Sequence, residues 1–209
     1  MNLKDLDKNH MLPFRVPNKY YKDFYAKGHD ISKRSLGFLP LYWNFFNLDK
    51  RLSSVAFIGS GTGLVPRYFV AKGKKLDQAI DITLIDACCP DVGWGGPWDK
   101  GGWIYDQSSF QKECSRIRLY LCTSMDAFEI MECSHCRYEM TFIDGDHSFE
   151  GILNDIRCYS KISRKIILHD YNLGTVKDAL KDFLNRNDSW RILYVSEQEA
   201  GICFLQESI

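Results

Sequence analysis

The sequence predicts a doubly wound, mainly parallel α/β sheet, and three observations carry that expectation. Short apolar runs alternate with stretches whose apolar residues fall at helical spacing. The first such run, Val55 to Ile58, breaks into glycines at alternate positions, Gly59, Gly61 and Gly63. Later runs end in acids, hydroxyls and histidines, the residue types a ligand crevice needs, and in parallel sheets that crevice lies at the carboxyl ends of the strands.

A chain of 209 residues suffices for one such domain with a sizeable core and is too short for two ordinary ones. The expected division is an N-terminal arm and helix over residues 1–50 and a main domain over 51–209. Lys and Arg number 27 and Asp and Glu number 27, so the formal charge is zero and no global field draws the chain to nucleic acid or an anionic membrane. Neither is expected as a partner. The charged start, Met1 to Lys8, lacks the apolar region of about 7–15 residues that marks a secretory signal. No apolar run approaches the ~20 residues of a membrane span. Eight cysteines, with Cys88 and Cys89 adjacent, read as reduced thiols of a cytoplasmic protein.

Taken in order, residues 1–34 mix charges and aromatics without firm periodicity and read as an arm. Dense apolar residues from Ser35 to Leu48 predict a buried helix. Strand one is Ser54 to Ile58, and its helix runs to about Lys72, with Pro66 tolerable in the first turn. Glycines at 59, 61 and 63 allow positive φ and close approach of a ligand to the main chain, and the helix that follows presents free amides to it. Strand two, Ile80 to Ile85, ends at Asp86, placed to accept both hydroxyls of a ribose or, alternatively, to cap a turn.

Residues 88–109 hold five glycines, two prolines and the tryptophans Trp94, Trp98 and Trp103, which suits a lid or acceptor platform as well as a loop folded onto the domain. Strand three, Ile117 to Cys122, is followed by Thr123, Ser124 and Asp126, positioned to touch a base. Phe128 to Cys136 reads as a short helix and loop whose Cys133 and Cys136 lack the second pair a structural zinc site needs. Strand four, Tyr138 to Ile143, runs into Asp144-Gly-Asp-His147, and an amphipathic helix starts near Phe149. Strand five, Lys165 to Leu168, ends in His169-Asp170, and a helix starts near Thr175 as its cap. Trp190 to Ser196 and Gly201 to Gln206 form a closing hairpin.

The glycine turn resembles the first motif of class I S-adenosylmethionine-dependent methyltransferases. Leu64 occupies the position where a dinucleotide-binding turn would carry its third glycine. The segment Phe142-Ile-Asp-Gly-Asp-His-Ser-Phe-Glu-Gly151, with Asp155 beyond it and Ile167-Leu-His-Asp-Tyr171 further on, is similar to the signature of the macrolide-sugar and rhamnosyl O-methyltransferases of that class. The resemblance spans roughly residues 54–180. It implies a Rossmann-like, seven-stranded sheet with a C-terminal antiparallel hairpin. It also implies S-adenosyl-L-methionine as cofactor, held by Gly59, Ser60, Gly61, Gly63, Asp86, Ser124 and Asp144. The family commonly has an acid two residues before the first glycine, where this chain has Phe57.

Methyl transfer from a sulfonium needs the acceptor oxygen held in line and its proton removed. His147, taken near its ordinary pKa, is the candidate base, with Asp144 beside it in the catalytic set. Metal-using relatives place a divalent ion at positions matching Asp144 and Asp170, which leaves magnesium open here, although the position matching His169 is a carboxylate in those relatives. Asp144 and Asp170 at adjacent strand ends would repel unless a cation or proton separates them. The expected activity is O-methylation of a small molecule, a sugar or glycosylated metabolite, with Trp94, Trp98 and Trp103 as acceptor contacts. A non-catalytic binding module of the same fold and a nicotinamide-dependent oxidoreductase are the competing readings, and the sequence carries no signal of oligomeric state.

Overall fold

The computed structural model describes residues 38–59, 64–87, 116–198 and 200–208. The expectations placed on the N-terminal arm, on Ser60, Gly61 and Gly63, and on Trp94, Trp98 and Trp103 lie outside those residues. The chain divides into two compact units, Met1–Leu48 and Asp49–Ile209. In the first unit, helix α1 (Leu39–Asn47) has a proline in its opening turn, where a missing N–H costs nothing, and buries Tyr42, Trp43, Phe45 and Phe46.

The second unit alternates strands and helices. Its elements are β1 (Ser54–Ile58), α2 (Leu64–Lys75), β2 (Asp81–Ile85), β3 (Ile117–Tyr120), α3 (Ser124–Cys133), β4 (Met140–Ile143), α4 (Phe149–Tyr159), β5 (Lys165–His169), α5 (Gly174–Leu184), β6 (Trp190–Ser196) and β7 (Ile202–Glu207). The strands form one sheet in the order β3-β2-β1-β4-β5-β7-β6. The first five in that order run parallel. β7 lies antiparallel to β5, and β6 antiparallel to β7. This is the Rossmann-like doubly wound sheet with a closing antiparallel hairpin that the sequence predicts.

β1, β4 and β5 read as near-continuous apolar runs because helices cover both faces of the sheet centre. Alternate residues serve different layers. Ala56, Ile58, Ile143, Ile166 and Leu168 join one core with Phe128 of α3, Ile152 and Ile156 of α4, and Val176 and Phe183 of α5. Phe57 points to the opposite face, where its ring lies 5.5 Å from Phe69 of α2 and 6.1 Å from Phe142. With 1% of Phe57 exposed, this position is core.

Several boundaries differ from expectation, most of them by a residue or two, and the changes around α3 and α5 have local causes. β3 ends at Tyr120, and α3 begins at Ser124 because the Thr123 side chain caps it by accepting from the Asp126 amide. Local hydrogen bonding by Thr and Asp thus starts a helix where the sequence reads as a polar strand end. Thr175 is not the cap of α5: Leu173 occupies that place without a side-chain bond, and the Thr175 hydroxyl reaches instead to the His147 carbonyl oxygen at 2.8 Å. Among the described residues no helix is long and apolar enough to cross a membrane.

Candidate functional site

Sheet register decides which residues meet. Ile58 pairs with Ile85 on one side and with Ile143 on the other, and Ile143 pairs with Leu168. The next residue of each strand therefore lines one edge: Asp86 after β2, Gly59 after β1, Asp144 after β4 and His169 at the end of β5. The strand order reverses between β1 and β4, which is where sheets of this kind open a crevice. Asp86 and His147 thus belong to the same edge, two strands apart at about 4.8 Å per strand.

Gly59 has φ of 68°, and a Cβ there would stand 2.0 Å from the Asp144 carbonyl oxygen. Its freedom serves contact with the backbone leaving β4, a neighbour the sequence reading did not foresee. The Gly59 amide donates to the Ile85 oxygen and the Asp144 amide to the Ile58 oxygen, so three strand ends are tied together. Beyond them Asp146 turns the chain by accepting from the Ser148 amide, and Ser148 caps α4 through the Gly151 amide. A Cβ on Gly151 would come within 2.5 Å of the Asp146 carboxyl, so the glycine leaves room for that side chain.

Four titratable side chains gather at the ends of β4 and β5. His147 Nε2 lies 2.8 Å from Asp170 Oδ2 and 3.6 Å from Asp144 Oδ1. His169 Nδ1 lies 3.2 Å from Asp144 Oδ1 and 3.3 Å from Asp170 Oδ2. The repulsion expected between the two acids is thus relieved by two imidazoles placed between them. Asp144, and to a lesser degree Asp170, raise the His147 pKa to about 9 against a smaller effect of burial. Burial opposes protonation of His169, but Asp144 and Asp170 outweigh it and raise its pKa to about 10. Burial would raise the Asp170 pKa, and the two histidines overturn that and hold it well below the usual carboxylate range. His147 is therefore not near its ordinary pKa: two acids hold its proton in the resting site.

Asp170 adopts φ of 53°, a left-handed conformation that Asp tolerates at some cost. The β6–β7 turn secures the segment after it: the Tyr171 amide donates to the Gly201 oxygen and the Asn172 amide to the Ala200 oxygen. Gly201 is required there, because a Cβ would meet Asn172 at 2.8 Å.

Ser124 is engaged from α4. Its hydroxyl donates to Asp155 Oδ1 at 2.5 Å, and its carbonyl oxygen accepts from the Tyr159 hydroxyl at 2.8 Å. Burial raises the Asp155 pKa to about 7, with the Ser124 bond acting against the rise. Asp155 Oδ2 lies 3.7 Å from where a Cβ on Gly145 would stand, so this carboxyl underlies the turn that carries Asp144 and His147. The sequence marks Asp155 only as part of a motif, since its place beneath the turn depends on how α3 and α4 pack.

Asp144, His169 and Asp170 have ligand atoms within 4.8 Å of one another. One donor of the three is an imidazole, whereas magnesium is a hard ion that takes oxygen donors and water. The set does not fit magnesium.

The sheet order with its closing antiparallel hairpin gives the chain a Rossmann-like fold that solved methyltransferases share. The chain is similar to the O-methyltransferase TomG from Streptomyces achromogenes, in complex with SAM, at a TM-score of 0.65 and 10% identity over 100% of this chain and 97% of that one. It is also similar to CalS11, a TDP-rhamnose 3'-O-methyltransferase of calicheamicin biosynthesis, at a TM-score of 0.60 and 10% identity over 98% and 90%. A Streptococcus mutans protein assigned to the SAM-dependent methyltransferases matches at a TM-score of 0.53 and 12% identity over 80% of this chain. This chain spans 48% of the length of that protein. No family model matches the chain, and no curated protein sequence matches it.

Proposed function

We propose that the chain is an S-adenosyl-L-methionine-dependent methyltransferase that methylates a hydroxyl of a small molecule, a sugar or glycosylated metabolite. One observation carries this reading: parallel register aligns Gly59, Asp86 and Asp144 side by side at the point where the strand order reverses. The turn after β1 receives the methionine end of the cofactor, and Asp86 accepts the ribose hydroxyls. The TomG and CalS11 likenesses support methyl transfer to oxygen, and CalS11 supports a sugar acceptor.

The bound cofactor would supply the methyl group to the acceptor oxygen, and the neutral His147 imidazole would take up the hydroxyl proton. Because Asp144 and Asp170 favour the protonated imidazole, His147 must release that proton to solvent before it acts as base. The same raised pKa favours a second reading, a cofactor-binding module without turnover.

Calorimetry with S-adenosyl-L-methionine is expected to give saturable binding, and absence of binding at millimolar cofactor overturns both readings. Methyl label transferred to a panel of glycosylated metabolites supports the enzyme. Binding without transfer across that panel supports the module.

A further inference from the structure

We propose that Asp144 Oδ1, His169 Nδ1 and Asp170 Oδ2 hold a divalent first-row transition cation, such as zinc, in preference to magnesium. The His169 edges of the donor triangle measure 3.2 and 3.3 Å. A tetrahedral shell with ligand distances of about 2.0–2.1 Å has edges of roughly 3.3 Å, which these two edges match, and the three ligand atoms lie within 4.8 Å of one another. The chemistry of the donors selects the ion: imidazole with carboxylate suits zinc, iron and cobalt, whereas magnesium takes oxygen.

Directionality points the same way. His169 Nδ1 is buried and close to two carboxylates, yet it is aligned for a hydrogen bond with neither. A buried ring nitrogen left without a directed partner is destabilising. The cost disappears if the nitrogen and the two oxygens face a shared centre instead of each other.

The scaffold keeps the donors in place without the ion. Asp144 is fixed by the backbone contact with Gly59, and the His169 ring lies 5.9 Å from that of Phe142. Asp170 is followed by amides bonded into the β6–β7 turn, and its own carbonyl oxygen accepts from the Leu173 amide at 2.9 Å. Donors mounted on strand ends and a closed turn lose little freedom when a cation arrives. His147, within 2.8 Å of Asp170, stays outside the triangle as the neighbour of a ligand.

The test uses the full chain freed of metal by chelation and titrated by calorimetry with zinc chloride and, separately, magnesium chloride, without cofactor or acceptor. Its outcome is therefore independent of whether the chain transfers methyl groups. The expected result is one zinc per chain, bound at least about 1,000-fold more tightly than magnesium. His169→Ala should weaken zinc by at least about 100-fold, beyond the range seen when only a neighbour of a ligand is lost. His169→Asp, which makes the set all oxygen, should narrow the zinc-to-magnesium ratio at least about tenfold.

Cobalt(II) bound to the unaltered chain should show weak visible d–d absorption without the intense thiolate band that cysteine ligation produces. A thiolate band, zinc binding unchanged in His169→Ala, or magnesium binding as tight as zinc overturns the proposal. Circular dichroism checks that both variants fold. The cobalt spectrum of the unaltered chain and the zinc-to-magnesium ratio stand whether or not they do.

Discussion

β4 and β5 carry acids and bases at both ends, and the two ends behave differently. At the amino end, Glu139 and Lys165 are both fully buried, with Lys165 Nζ 2.7 Å from Glu139 Oε1. Arg164 Nη1 lies 3.1 Å from each Glu139 oxygen, and the amides of Arg51 and Leu52 donate to Oε2 at 2.9 Å. Burial opposes ionisation of Glu139, but Lys165 and those amides outweigh it and lower its pKa. At the carboxyl end, five residues further along each strand, Asp144 and Asp170 stand half-buried among histidines whose facing nitrogens lack a directed bond. The same ingredients make a satisfied tie in one place and an unsatisfied, approachable cluster in the other. Polar groups closed off by their neighbours hold a fold, and groups held apart in reach of a ligand are available for chemistry.

The comparison can be broken most forcefully at the amino end. Glu139→Ala removes the carboxylate that Lys165 and Arg164 share, and breaking a buried pair costs about 3–5 kcal/mol, readable in urea unfolding. A loss under about 1 kcal/mol would show that the tie is dispensable. Next in size is Gly59→Ala, which forces a Cβ to within 2.0 Å of the Asp144 oxygen at a positive φ. Strain and overpacking together predict a loss of about 2–4 kcal/mol in the same experiment. Weakened zinc binding should accompany it, because Asp144 must move.

His147→Ala sharpens the contrast from the other side. Turnover should drop at least about 100-fold, or about 2.7 kcal/mol in barrier, while unfolding free energy changes by less than about 1 kcal/mol. A large stability loss with turnover intact would make the carboxyl end structural as well.

A pH dependence carried by Asp155 sharpens the contrast further. Its pKa is about 7 in the fold against an ordinary 3.8. Between those values the folded state keeps a proton that the unfolded state has lost, so this residue makes stability fall as pH rises through that window. Glu139 has the opposite sign: its lowered pKa gives stability that is lost as pH falls through the acidic range. Asp155→Asn should flatten the decline between pH 3.8 and 7 in denaturant titrations, and an unchanged slope would assign it to another group.

Much of this was legible in the residues alone. Short continuous apolar runs, amphipathic stretches with helical period and the punctuating glycines mark which segments are strands and helices, because those patterns reflect local geometry that one chain segment settles by itself. The motif around Asp144 and His147 and the acid at Asp86 also stood out by position. Pairing between distant segments did not. His169 reads only as a poor partner for magnesium, and its place 3.2 Å from Asp144 emerges with the β4–β5 register. The glycine at 59 reads as room for a ligand until Asp144 is found against it, and Asp155 and Thr175 show their contacts only once α3, α4 and α5 have packed.

The sequence by itself determined the order and kind of the elements and which strand ends carry polar residues. Tertiary structure alone decided that two histidines separate the two acids and that the amino-end charges close on one another. Both outcomes depend on the register and packing of segments more than 20 residues apart, which no local pattern encodes.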